Sequence, residues 1–118
     1  MKKIFLALSI ALTSAAHAEQ AWFYNIQVRE TIVDSDRFGQ CMLRLKNSVD
    51  LQSKLPSCKP NYLTMDCGAE LPGASKTANL KKFEIAQISV VARRKVAFLV
   101  TDDQTIDGFC SVRQARLL

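Results

Sequence analysis

The sequence predicts a mainly β domain of the α+β class: a five-stranded Greek-key barrel with one helix between strands three and four. Three observations carry this. Several stretches alternate apolar and polar residues with the period of a strand, and one late stretch switches to the period of a helix. Four cysteines are also available to staple a small core.

The chain divides at residue 18. Lys2 and Lys3 form a basic start, Ile4 to Leu12 is an apolar run too short to span a bilayer, and Ala16-His17-Ala18 has the small-x-small form of a cleavage site. Residues 1–18 are therefore expected to be a signal peptide, with cleavage before Glu19. A single domain of residues 19–118 would remain, exported to the periplasm or secreted. A chain of that length buries roughly two-thirds of its unfolded surface, so covalent cross-links add materially to its stability.

The elements follow in order. Ala21 to Val33 reads as a long first strand with Trp22, Tyr24, Ile26 and Val28 on one face and Asn25, Gln27 and Arg29 on the other. Asp34 to Gly39 is a turn. Gln40 to Lys46 is the second strand, with Cys41, Leu43 and Leu45 inward. Asn47 to Pro60 is a polar loop carrying two prolines and Cys58. Asn61 to Cys67 is a short third strand with Leu63, Met65 and Cys67 on one face.

Pro72 and Gly73 then break the chain. From Lys76 to Arg94, Leu80, Phe83, Ala86 and Val90 recur at helical spacing, and Ile85 and Ile88 broaden the apolar face. Ser75 or Thr77 can cap the start, and Arg93, Arg94 and Lys95 meet the negative end of the helix dipole. Val96 to Thr101 is the fourth strand, Asp102 to Gly108 a polar turn, and Phe109 to Leu117 the fifth strand. The order β-β-β-α-β-β is that of an OB-like barrel, although other α+β sandwiches share it.

Four cysteines in an exported chain read as two disulfides. With 61–67 extended at about 3.3 Å per residue, Cys58 and Cys67 lie well beyond the roughly 7 Å between Cα atoms that a disulfide tolerates. If strands two and three pair antiparallel, Lys46 lies near Asn61 and Cys41 falls opposite Asp66 or Cys67. The expected bridges are Cys41–Cys67 and Cys58–Cys110. A zinc site is not expected, because no C-x-x-C pair occurs and the oxidising compartment would consume the thiols.

The formal charge of +5 includes Lys2 and Lys3 and drops to +3 without them, since 1–18 holds no acid. That excess suits weak attraction to anionic surfaces and falls short of a nucleic-acid footprint. No second apolar run approaches a membrane-spanning length, so stable membrane insertion is not expected.

The one histidine, His17, leaves with the leader, which removes Ser-His-Asp and Cys-His arrangements. Asp102, Asp103 and Asp107 lack the spacing of a calcium loop and read as a solvated turn. Lys81-Lys82 and Arg93-Arg94-Lys95 could form an anion patch, but the commoner reading is a wet helix face and its dipole complement. No enzyme activity, metal or cofactor is expected. Trp22-Phe23-Tyr24 is the remaining feature of interest. Aromatics alternating at a strand start usually belong to the core; exposed on such a barrel, Trp22 and Tyr24 would stack sugars or bases.

Gly39-Gln40-Cys41-Met42-Leu43-Arg44-Leu45, Pro56-Ser57-Cys58, Leu63-Thr64-Met65-Asp66, Val91 to Val96 and Gly108-Phe109-Cys110 together resemble small exported bacterial proteins akin to the B subunit of subtilase-type AB toxins. The resemblance implies an OB-like barrel and, for the toxin members, a homo-oligomeric pentamer that binds glycans. Where many members carry Gly-Lys after the helix, this chain has Arg94-Lys95, and no glycan-contacting residues match.

Two functions remain in competition. One is a non-catalytic binding module, a toxin-B-like subunit recognising a glycan or protein surface. The other is a periplasmic inhibitor or immunity protein that blocks a hydrolase, for which Asn47–Pro60 is the candidate protruding loop.

Overall fold

The computed structural model describes residues 19–118, so the expected signal peptide, its cleavage site and His17 lie outside the described residues. Six strands and one helix follow in the order β1 (Gln20–Ile26), β2 (Val28–Val33), β3 (Cys41–Leu45), β4 (Tyr62–Thr64), α1 (Lys76–Ala92), β5 (Val96–Ile106) and β6 (Phe109–Leu117). They form one sheet in the order β1-β5-β6-β4-β3-β2. The pairings are antiparallel except for a short parallel contact of β4 with β6, where Thr64 faces Ser111. The mainly β, α+β class expected from sequence is the one observed.

The sheet has six strands rather than the expected five, and its hydrogen-bond order is not closed into a barrel. The difference lies in the first strand. Asn25 adopts a left-handed backbone (φ 55°), and the register against β5 slips between Phe23 and Ile26. Such a bulge bends the strand and offsets its faces by one residue. The chain then changes partner across Gln27: β1 runs along β5, whereas β2 runs along β3. Ile26 and Val28 point inward as expected, but upstream of the bulge Phe23 is the buried ring and Trp22 and Tyr24 lie on the opposite face.

Other boundaries move for equally local reasons. β4 stops at Thr64, because Asp66 turns left-handed (φ 53°), although Leu63, Met65 and Cys67 are all buried as the alternation required. β5 runs on to Ile106, leaving only Asp107-Gly108 as the hairpin turn. Both residues have positive φ (55° and 82°), the geometry that matches strand twist in two-residue hairpins.

Helix α1 begins where Ser75 Oγ accepts the Ala78 N–H at 3.2 Å and ends on a left-handed Arg93 whose N–H reaches the Ser89 and Val90 carbonyls. Its buried residues are Asn79, Phe83, Ala86 and Ser89, and Ile85 and Val90 pack against the core, so four of the six expected apolar residues face inward. Leu80 and Ile88 are about half exposed, and Val91 is almost wholly so. The helix tolerates polar residues inward because both are satisfied: Asn79 Nδ2 donates to the Asp66 carbonyl at 2.9 Å and Ser89 Oγ to the Ala86 carbonyl at 2.6 Å. The core beneath is centred on Phe98, with Ile26, Leu43, Leu45, Leu63, Met65 and Val100 around it.

The disulfides are Cys41–Cys67 (Cα–Cα 5.6 Å) and Cys58–Cys110 (5.4 Å), the pairs favoured by strand register. The register itself is one residue off the expected one, since Met42 faces Thr64 and the Leu45 N–H bonds the Asn61 carbonyl. The left-handed Asp66 restores the alignment by turning Cys67 back toward Cys41.

Candidate functional site

Trp22 and Tyr24, two apart on β1, share the outer face of the sheet. Their rings stack with centroids 5.7 Å apart and planes inclined by 21°. Tyr24 is 58% exposed and Trp22 half-buried. Across the sheet, Trp22 pairs with Leu99 and Ala97 pairs with Arg116. This places the Arg116 guanidinium 4.6 Å from the Trp22 ring centroid, a cation–π contact at a partly exposed site. Strand alternation puts Ala97 and Leu99 on this same face, yet both are buried, so the aromatic and guanidinium groups above cover them.

The platform is held from its edge. Lys54 Nζ donates to the Trp22 carbonyl at 2.8 Å, and its ammonium sits 5.2 Å from the Phe23 ring. Lys54 belongs to the 47–60 loop, which is folded against the body. Leu51, Leu55 and Cys58 are buried, Asp50 caps a 3-10 turn at Leu51–Ser53, and Gln52 Nε2 donates to the Cys58 carbonyl. The loop expected to protrude is therefore a clamp on the platform strand.

A second aromatic group, which the sequence reading missed, joins Phe38, Tyr62 and Phe109 from three separate segments. Phe109 meets Phe38 and Tyr62 edge-to-face at 5.7 and 5.8 Å, and Lys59 lies 4.7 Å from the Phe109 centroid. Single-strand periodicity carries no signal for such a cluster; only the order of strands in the sheet assembles it.

The charged candidates separate. Lys82 lines a polar cleft of about 260 Å³ with Asp66, Asn79, Gln104, Ser111 and Arg113, and its ammonium donates to the Val112 carbonyl at 2.8 Å. Burial, and then the neighbouring Arg113 charge, hold the Lys82 amine below its ordinary value, with Asp66 opposing. Lys81 is exposed. Arg93, Arg94 and Lys95 instead border a cleft at the other end of α1.

Asp102 and Asp103 lie on β5 rather than in a turn. Asp102 accepts the Glu19 N–H and the Ser57 hydroxyl, and Asp103 accepts the Thr101 hydroxyl. Among the described residues, no group of three or more His, Cys, Asp or Glu is placed to hold a metal ion, and no helix is long and apolar enough to cross a membrane.

No protein-family model matches the chain, and neither characterised proteins nor solved structures give a significant match.

Proposed function

We propose that the domain is an exported, non-catalytic binding protein that recognises a glycan or a glycan-bearing protein surface through Trp22, Tyr24 and Arg116. The observation that carries this reading is the stacked pair on an outer sheet face, with a guanidinium against one ring. Apolar sugar faces pack on aromatic rings, and an arginine beside them offers several directed donors to hydroxyl groups. Two disulfides in a chain of this size suit an oxidising, exported setting.

The OB-like barrel belongs to the same proposal. If β1 and β2 are taken as one strand bent at Gln27, five strands follow in the circular order first, fourth, fifth, third, second and back to first. That is a Greek-key barrel order with a parallel contact between the third and fifth strands. In this reading the likeness to toxin B subunits reflects a common architecture, and copies of the chain assemble into a ring.

A glycan array on the domain of residues 19–118, with light scattering for its assembly state, tests the reading. A pentamer whose sugar hits vanish in Trp22→Ala, while circular dichroism stays unchanged, is the expected result. A monomer or dimer with an empty array would overturn it. The second reading, an inhibitor of a hydrolase, would then rest on Phe38, Tyr62 and Phe109 with Lys59 and Arg37, since the 47–60 loop is pinned down.

A further inference from the structure

The second cleft lies where the β1–β2 junction meets the C-terminal end of α1. It measures about 470 Å³ and is lined by Gln27, Val28, Arg29, Ser89, Val90, Arg93, Arg94 and Lys95. Four of these carry positive charge and none is acidic. Arg29, Arg93 and Lys95 make no ion pair among the described residues, whose two ion pairs are Arg37–Asp34 and Arg44–Glu30. Arg94 is positioned by its Nε–H, which donates at 2.7 Å to the main-chain oxygen of Leu118, the last residue of the sequence.

The lining of this cleft is one-sided in charge. The described domain carries +3, from the formal +5 less Lys2 and Lys3. The cleft gathers four exposed cations of the fourteen in residues 19–118 and none of the eleven acids. Complementing the helix dipole does not require this. The C-terminal end of a helix is equivalent to roughly half a negative charge, an eighth of what stands around it. Like charges gathered at one cleft repel and destabilise the fold unless an anion joins them.

We propose that this cleft is a binding site for a phosphate monoester, separate from the aromatic platform. A phosphate monoester carries about −1.5 to −2 at neutral pH and offers three strong acceptor oxygens. The planar fork of a guanidinium matches two of them at once, and three arginines from two chain segments border the cleft. The volume exceeds that of the bare anion and falls within the roughly 300–1,000 Å³ of small-ligand sites, leaving room for the group the phosphate is attached to.

The test uses inorganic phosphate and the domain of residues 19–118 at low ionic strength. Saturable amide shifts at Gln27, Arg29, Ser89 and Arg93 to Lys95 are expected by NMR, together with a phosphate-dependent rise in melting temperature. The double variant Arg29→Gln, Lys95→Gln should weaken phosphate binding by about tenfold or more, worth about 1.4 kcal/mol. Each single variant, used if the double one fails to fold, should weaken it by a smaller factor. Trp22→Ala should leave phosphate binding unchanged, so this proposal and the glycan reading fail independently.

Vesicles of phosphatidic acid, compared with phosphatidylcholine alone, identify the source of the phosphate. Binding to both phosphate and phosphatidic acid indicates a lipid headgroup; binding to phosphate alone indicates a soluble phosphoester. Shifts that chloride reproduces at equal ionic strength, a double variant with unchanged affinity, or vesicle binding without any response to free phosphate would each overturn the site.

Discussion

Phe23 and Trp22 are neighbours with opposite fates, and the difference is measurable. Phe23 is buried against Ile26 and Phe98, so Phe23→Ala should cost about 3–4 kcal/mol by chemical denaturation. Trp22→Ala removes a partly buried ring that stacks on Tyr24 and meets Arg116, and should cost less, about 1–2 kcal/mol. Equal costs would mean that β1 has slipped by one residue. Gly39 supplies a second comparison. It sits at φ 69°, and a Cβ there would come within 2.9 Å of the Asp66 backbone, so Gly39→Ala should lose about 2 kcal/mol. The alternation of Trp22, Tyr24, Ile26 and Val28 suggested one shared face, and the left-handed Asn25 is why it was only half right. An asparagine in a strand pattern does not announce a bulge, because the bend becomes favourable only once β5 lies alongside.

At the scale of elements, the cysteine pairs were legible because strand register and disulfide reach constrain each other. A one-residue error in register survived because the turn at Asp66 absorbed it. Cys110→Ser should leave Cys58 as a free thiol on peptide mapping and cost roughly 4 kcal/mol, given the 52-residue separation that the bridge closes. The helix shows the opposite case. Its extent was readable and its cap was narrowed to Ser75 or Thr77; Ser75 is the one used, and Ser75→Ala should cost about 1 kcal/mol in thermal denaturation. Its inward face was readable in part: Phe83, Ile85, Ala86 and Val90 meet the core, whereas Asn79 and Ser89 face inward using hydrogen bonds to carbonyls that periodicity does not see, and Leu80 and Ile88 are left in water. The aromatic platform was legible only as a pair of rings. Arg116 completes it from the last strand, and nothing local to residue 116 signals that Trp22 lies across β5.

For the whole molecule, charge and proton uptake are the readable quantities. The Lys82 amine is held below its ordinary 10.5, chiefly by burial, so the unfolded chain binds a proton there that the folded chain gives up earlier. Stability should therefore climb as pH rises from the lowered value toward 10.5, and the penalty for charging the buried amine is fully present below that window. Comparing wild type with Lys82→Gln by denaturant midpoint across alkaline pH isolates this contribution. The difference curve should rise with pH, and a flat one would mean that the ammonium is fully solvated.

The separation of β1 from β2 also governs when the fold can be completed. Gln20 pairs with Thr101 and Ile26 with Val96, so β1 finds its hydrogen-bonding partner only among residues made 70 to 81 positions later. Until β5 is present its amides and carbonyls stay unclaimed, while β2, β3 and β4 can already pair across connections of 7 and 16 residues. Such distant pairings are slow to form, because loop closure must precede their reward. An open edge of this kind is also a template for pairing with other chains. Chains truncated before Val96 should accordingly be aggregation-prone and protease-sensitive at 20–26, and both liabilities should disappear in chains that include β5 and β6.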